Sequence, residues 1–166
     1  CFVLIFALCF ALCTGCSRMP QAEKKTFYAM DTTMEFTVYG DASLIDDAEA
    51  LINSLEDELS VTKSSSEIAQ INANGFGKVT DSAADLMTKA LSMCSHTNGA
   101  LDISVYPIVR AWGFTTGSYK VPSEDEIASL LPLVDYTKVQ YDESTGEVTL
   151  PAGMEIDLGS RSEEHT

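Results

Sequence analysis

Apolar and polar positions alternate over Thr33 to Tyr39 (TMEFTVY). Met34, Phe36 and Val38 fall on one face and Thr33, Glu35 and Thr37 on the other. That period of two predicts a half-buried strand. Gly40-Asp41 turns the chain and the period then changes. Leu44, Ala48, Leu51, Ile52, Leu55 and Leu59 recur at helical spacing, with Asp46 and Asp47 near the positive end of the helix dipole. A second, short helix is expected to start at Ser65 or Ser66 and to bury Ile68 and Ile71, and Asn74-Gly75-Phe76-Gly77 reads as a loop. A third helix is predicted from about Ser82 to Thr97. Its stripe is Ala83, Leu86, Ala90 and Cys94, and Asn98-Gly99 closes it.

Beyond that stop, Ala100 to Ser104 reads as a short extended segment, and Val105 to Trp112 as a helical turn entered around Pro107. Ser123-Glu124-Asp125-Glu126 has the form of a capping box opening a helix to about Leu131. Lys138 to Tyr141 and Glu147 to Leu150 flank a turn-rich DESTG, which signals a hairpin. Met154 to Gly159 (MEIDLG) reads as a strand running into a glycine turn. Strands and helices mix without regular alternation, so the fold class is α+β.

The two ends break these patterns. Residues 1–13 (CFVLIFALCFALC) are uniformly apolar, too short for a membrane-spanning helix, which needs about 20 residues. They match the apolar core of a secretory signal whose Met and basic start are missing. Thr14-Gly15-Cys16 resembles a bacterial lipobox, with Cys13 where Leu is usual. Residues 1–16 are therefore expected to be a truncated lipoprotein signal with Cys16 as lipid anchor, and residues 17–25 a polar tether. At the far end, residues 160–166 (SRSEEHT) abandon the pattern. Arg161 to Thr166 is what one reading frame of a common sequencing-library adapter encodes. This tail is expected to be foreign, and the natural chain to continue beyond Gly159.

Composition narrows the chemistry. The chain has 166 residues, 25 acidic against 10 basic, for a formal charge of −15. Apolar residues make up 45%, enough for a packed domain. The acidic balance argues against nucleic acid, whose phosphates need clustered Lys and Arg. Of five cysteines, only Cys94 lies in the body, and on its helical stripe it reads as core. The only body histidine is His96, too few for a triad or a zinc site. There is no P-loop and no GxGxxG. What remains are carboxylates at element ends, Asp102 after a helix stop and Asp157 before Leu-Gly. Each alone reads as a turn or capping residue, although loops at strand ends are where sites are built.

Several segments together resemble the FAD:protein FMN transferase (ApbE-type) family. They are Tyr28 to Met34 (YAMDTTM), Leu59 to Lys63 (LSVTK), Ser66-Glu67-Ile68, Ile71-Asn72, Asn98 to Phe114 (NGALDISVYPIVRAWGF) and Glu155 to Gly159 (EIDLG). They occur in the family order and spacing over about residues 26–159, which the resemblance makes the N-terminal part of a flavin transferase domain. It implies a Mg²⁺-dependent enzyme that transfers the FMN half of FAD to a Thr hydroxyl of an acceptor flavoprotein and releases AMP. Carried over by position, Met30, Ala100, Leu101, Asp102 and Asp157 fall on FAD-contacting positions. Thr62 falls on another, where some relatives place an aromatic ring. Trp112 belongs to the motif and reads equally well as a packing anchor.

Ser160 falls where the family contributes a backbone carbonyl to the metal, the side-chain ligands lying in a C-terminal half beyond this sequence. This chain by itself is therefore expected to be inactive. Such an assignment is chemically consistent: phosphoryl transfer depends on positioning and charge neutralisation, Mg²⁺ prefers oxygen ligands, and a carboxylate such as Asp102 or Asp157 can accept from ribose hydroxyls or ring N–H groups. The resemblance also implies an acceptor outside the cytoplasm, for example a subunit of a membrane ion-translocating oxidoreductase. The protein itself would be exported and held at the outer face of the cell membrane. Competing expectations are a flavin-delivery lipoprotein without catalysis, a Mg²⁺-dependent FAD pyrophosphatase, and a structural lipoprotein.

Overall fold

A computed structural model describes residues 21–30 and 32–159. Residues 1–20 and 160–166, on which the expected signal, the anchor Cys16, the metal position Ser160 and the expected foreign tail fall, lie outside the described residues. Two antiparallel strands open the fold, β1 (Ala22–Ala29) and β2 (Thr32–Tyr39), in a register that pairs Ala29 with Thr32 and Ala22 with Tyr39. Residues 22–25, read in the sequence as the end of a tether, are thus the first half of a strand. Their charges misled because they are exposed and cross-linked rather than free. Lys24 pairs with Glu35 at 2.9 Å, and Lys25 bridges Asp46 and Glu49 on the next helix at 2.7 and 2.6 Å. Phe27 and Phe36 stack at 5.3 Å between centroids, a diagonal cross-strand contact that adds to the ladder.

Helix α1 (Ser43–Leu59) follows. Its buried face is centred one position away from the stripe read in the sequence: Ile45 is buried, while Leu44 and Leu51 are 53% and 61% exposed. Helix α2 (Glu67–Asn74) is capped by Ser66, whose hydroxyl accepts from Ala69 N–H, and ends at Gly75 with φ +76°. Helix α3 (Asp81–His96) buries Ala83, Leu86, Met87, Ala90 and Cys94, as its stripe predicts. Asn98 and Gly99, both at positive φ, stop it. Burial also pushes the Cys94 thiol above its ordinary pKa, so it behaves as a small apolar residue.

The supposed loop Asn74 to Gly77 is partly a strand. β3 (Phe76–Lys78) pairs with β5 (Glu147–Thr149), which pairs in turn with β4 (Gln140–Asp142). Glycine hid this strand from the sequence pattern, yet the fold requires it: a Cβ on Gly77 would stand 2.6 Å from Ile71 Cγ1. Between these elements run α4 (Tyr106–Ala111) and α5 (Glu124–Leu130), the latter capped by Ser123 accepting from Glu126 N–H at 3.1 Å. The Glu126 carboxylate takes Lys120 Nζ at 2.8 Å. Ala100–Ser104 is not extended throughout: Ile103–Val105 forms a 3-10 turn with Asp102 as its cap. The core gathers Ile68 and Ile71 of α2, the α3 stripe, Val148 of β5, and Ile103. The architecture is α+β. Among the described residues no helix is long and apolar enough to cross a membrane.

Among the described residues Met154 to Gly159 joins no sheet. Met154, Ile156 and Leu158 are buried and Glu155 and Asp157 are half-buried, so the alternation of a strand is present without a strand partner. Side chains and one loop carbonyl supply its bonds instead. Asn72 Nδ2 donates to the Ile156 carbonyl and Ile156 N–H donates to Asn72 Oδ1, both at 2.8 Å, and Asp157 N–H donates to the Ile103 carbonyl at 2.8 Å.

Candidate functional site

Two clefts meet at Asp157. The smaller, about 200 Å³, is lined by Met30, Thr62, Thr115, Asp157 and Gly159 over the apolar Leu59 and Val61. The larger, about 480 Å³, holds Ala100, Leu101, Asp102 and Asp157 against an apolar wall that includes Ile108 and Leu131. Asp157 alone lines both. The six residues singled out in the sequence therefore gather around one junction: Met30 and Thr62 on one side, Ala100, Leu101 and Asp102 on the other.

Each is held by a local device. Met30 starts the β1–β2 turn at φ +50°. A two-residue hairpin asks for positive φ, which usually selects Asn or Gly; a Met there stores strain of about 1–3 kcal/mol, of the kind found at ligand-binding positions. Its N–H donates to Glu56 Oε2 at 3.1 Å, and Glu56 Oε1 lies 3.3 Å from Lys63 Nζ. Thr62 sits on the turn after α1, where Ser60 Oγ accepts from the N–H groups of Thr62 and Lys63. Ser66 Oγ donates to the Ser60 carbonyl, which ties that turn to the cap of α2.

Asp102 and Asp157 differ in chemistry. The Asp102 carboxylate is already engaged. Oδ1 accepts from Ser104 N–H and Oγ–H at 2.8 and 2.6 Å, and Oδ2 accepts from Tyr136 N–H at 3.1 Å. Ser104 Oγ also accepts from Asp135 N–H at 2.8 Å. Asp102 is thus a structural clasp that shapes the larger cleft. Among the described residues the Asp157 carboxylate receives only Gly159 N–H, on Oδ1 at 2.7 Å. Burial pushes its carboxyl above the usual carboxylate range, and the Gly159 bond opposes that shift.

Residues that sequence reasoning missed are Glu56, Thr115, Ser104 and the clasp role of Asn72. Glu56 lies one place beyond Leu55 on the apolar stripe and carried no signal of its own. The Thr115 hydroxyl is buried and has no hydrogen-bond partner among the described residues. His96 is exposed, its Nδ1 2.7 Å from the Ser92 carbonyl of its own helix, and it lines neither cleft. Among the described residues no three His, Cys, Asp or Glu side chains converge on a metal position.

A model of the ApbE family matches residues 30–165. The chain belongs to the ApbE family. ApbE relatives give the scale of the match. An FAD:protein FMN transferase of Haemophilus influenzae is 25% identical over 93% of this chain and 48% of its own length. One of Klebsiella pneumoniae is 34% identical over 66% of this chain and 36% of its own. The ApbE protein of Thermotoga maritima superposes with a TM-score of 0.77 at 26% identity, over 86% of this chain and 49% of that one. The apo flavinyl transferase ApbE of Pseudomonas stutzeri shares the fold, with a TM-score of 0.74 at 20% identity, over 88% of this chain and 50% of its own. The chain spans about half the length of the curated relatives it matches, or less.

Proposed function

We propose that the protein serves an FAD:protein FMN transferase reaction, moving FMN from FAD to a threonine hydroxyl of an acceptor flavoprotein and releasing AMP. The observation that supports this most is the gathering of Met30, Thr62, Ala100, Leu101, Asp102 and Asp157 around two clefts joined at Asp157. The curated relatives carry the same activity in their names.

In the reaction the threonine oxygen attacks the flavin-side phosphorus of FAD. The P–O bond to the AMP phosphate breaks, AMP leaves, and the threonine proton is given up to a base or to solvent. The described residues bind and orient. Apolar walls of both clefts accept ring faces. Asp157 offers an acceptor at the junction, where an N–H of the flavin or adenine can reach it. Asp102, saturated by backbone and Ser104 donors, holds the Ala100–Leu101 backbone in place. Mg²⁺ belongs to this proposal as the group that neutralises the diphosphate. The described residues do not make a magnesium centre by themselves, and Ser160, the backbone position implied by the resemblance, lies outside them. Export and lipid anchoring through Cys16 complete the proposal and would bring the enzyme to acceptors on the outer face of the membrane.

Incubating the complete product of the gene with FAD, Mg²⁺ and a threonine-bearing acceptor domain tests this. In-gel fluorescence should show flavin that survives denaturation on the acceptor. Free FMN with AMP would point instead to a pyrophosphatase, and FAD retained intact on desalting to a delivery protein.

A further inference from the structure

Three consecutive residues of the Met154–Gly159 segment are tethered to three different parts of the fold. Glu155 Oε1 lies 2.7 Å from Arg110 Nη1 of α4, with the Glu155 side chain only 14% exposed. Ile156 exchanges both backbone groups with the Asn72 carboxamide of α2. Asp157 donates its N–H to the Ile103 carbonyl. The central tether is the one a neighbouring strand would otherwise provide: a carboxamide presents a donor and an acceptor side by side, as a peptide group does. It spans 84 positions of sequence, so it is a long-range fixture and not a local turn. The next residue along, Asp157, is the one common to both clefts.

We infer that Asn72 is a positioning residue for the flavin site: its carboxamide, assisted by the Arg110–Glu155 ion pair, fixes the Ile156 backbone and so sets where Asp157 stands between the two clefts. Neither Asn72 nor Arg110 lines either of them, and they act through the segment. A segment held only by the buried side chains of Met154, Ile156 and Leu158 could slide or rotate by a fraction of an ångström. Losses of that size in a binding group change affinity by an order of magnitude. The inference rests on the reading of these clefts as an FAD site.

Asn72→Ala and Asn72→Asp, each made in the complete gene product, test it. The aspartate keeps the shape and an acceptor for Ile156 N–H but removes the donor to the Ile156 carbonyl. Val148→Ala, in the core of β5 and outside both clefts, supplies a comparable loss of packing. FAD affinity is measured by flavin fluorescence, and the Asp157 carboxyl is followed through its own titration by carbon NMR. Both Asn72 variants should weaken FAD binding about tenfold, while Val148→Ala stays within about twofold. Asn72→Ala should also move the Asp157 titration down towards 3.8, its ordinary value, as the segment loosens and water reaches the carboxylate. The like charge that Asn72→Asp adds opposes this shift, so the titration is read on Asn72→Ala and Arg110→Gln.

Asn72 variants that bind FAD as Val148→Ala does, with Asp157 of Asn72→Ala titrating as in the parent, would overturn the inference. A parent protein that binds no FAD overturns the flavin reading instead. The titration arm still decides the positioning role in that case: an unmoved Asp157 contradicts it and a lowered one supports it. If Asn72→Ala fails to fold, Asn72→Asp carries the affinity comparison and Arg110→Gln both the affinity and the titration.

Discussion

Two aspartates were legible in the sequence as carboxylates at element ends, and the structure separates their chemistry. Asp102 is satisfied by three donors and shapes a wall. Asp157 is burdened by burial, with Gly159 N–H as its bond. No pattern in the sequence distinguishes them, because the difference lies in which distant N–H groups arrive: Tyr136 reaches Asp102 from 34 positions away. For Asp157 the sign of the pH effect is fixed. Its folded pKa lies above the unfolded value of about 3.8, so the folded state holds the proton more tightly. This group therefore favours folding more as pH falls into the window just above 3.8, and costs stability once pH rises above the folded pKa. Asp157→Asn keeps an oxygen for Gly159 N–H and removes the charge. Melting temperatures across pH 3.5–8 should show the variant more stable than the parent at neutral pH, the gap closing as pH falls. A gap that widens on acidification would contradict the assigned shift. The exposed Asp41 and Asp142 and the half-buried Asp135, held below their ordinary values mainly by bonds from nearby side chains and backbone, act in the opposite sense and cancel in this comparison.

At the scale of elements, periodicity was a good guide wherever burial followed a single face. It located α1, α2, α3 and β2, while the Ser123 capping box located α5 and the turn residues the β4–β5 hairpin. It failed where tertiary partners replaced local pattern. Charges on β1 concealed a strand because their counter-charges sit on β2 and α1, and glycine concealed β3 because α2 leaves no room for a Cβ there. Met154 to Leu158 showed the opposite error, a strand-like alternation whose partner is a side chain. The loop after α4 depends on glycine in a more direct way. Gly113 has φ +80°, and a Cβ there would stand 2.1 Å from the Ser118 carbonyl oxygen, against the backbone that closes the loop through Lys120 N–H to the Trp112 carbonyl at 3.1 Å. Gly113→Ala should destabilise the protein by about 2–3 kcal/mol in urea melts. It should also red-shift the emission of Trp112, the chain's single tryptophan, as its stacking on Phe114 at 6.1 Å is released. An unchanged spectrum and midpoint would show that the loop absorbs the strain.

Across the whole molecule, the acidic balance of the chain and the proposed flavin site are compatible. The clefts are largely apolar, and Asp157 is the one carboxylate common to both. Each wall is carried by a different part of the chain: the β1–β2 turn and the loop after α1 on one side, the α3 stop and α4 on the other, with Met154–Gly159 between them. Four of the six family segments quoted from the sequence, residues 28–34, 59–63, 98–114 and 155–159, contribute lining residues here, which composition and spacing alone could not have shown, since none of the segments is unusual by itself. The central claim is that this junction serves transfer of FMN and not mere retention or hydrolysis of FAD. Mass spectrometry of an acceptor domain after incubation with the complete gene product, FAD and Mg²⁺ tests it most directly. The account predicts a threonine peptide heavier by one FMN phosphoester, formed in step with an equal amount of AMP. An unmodified acceptor beside intact FAD, or beside free FMN and AMP, would contradict it.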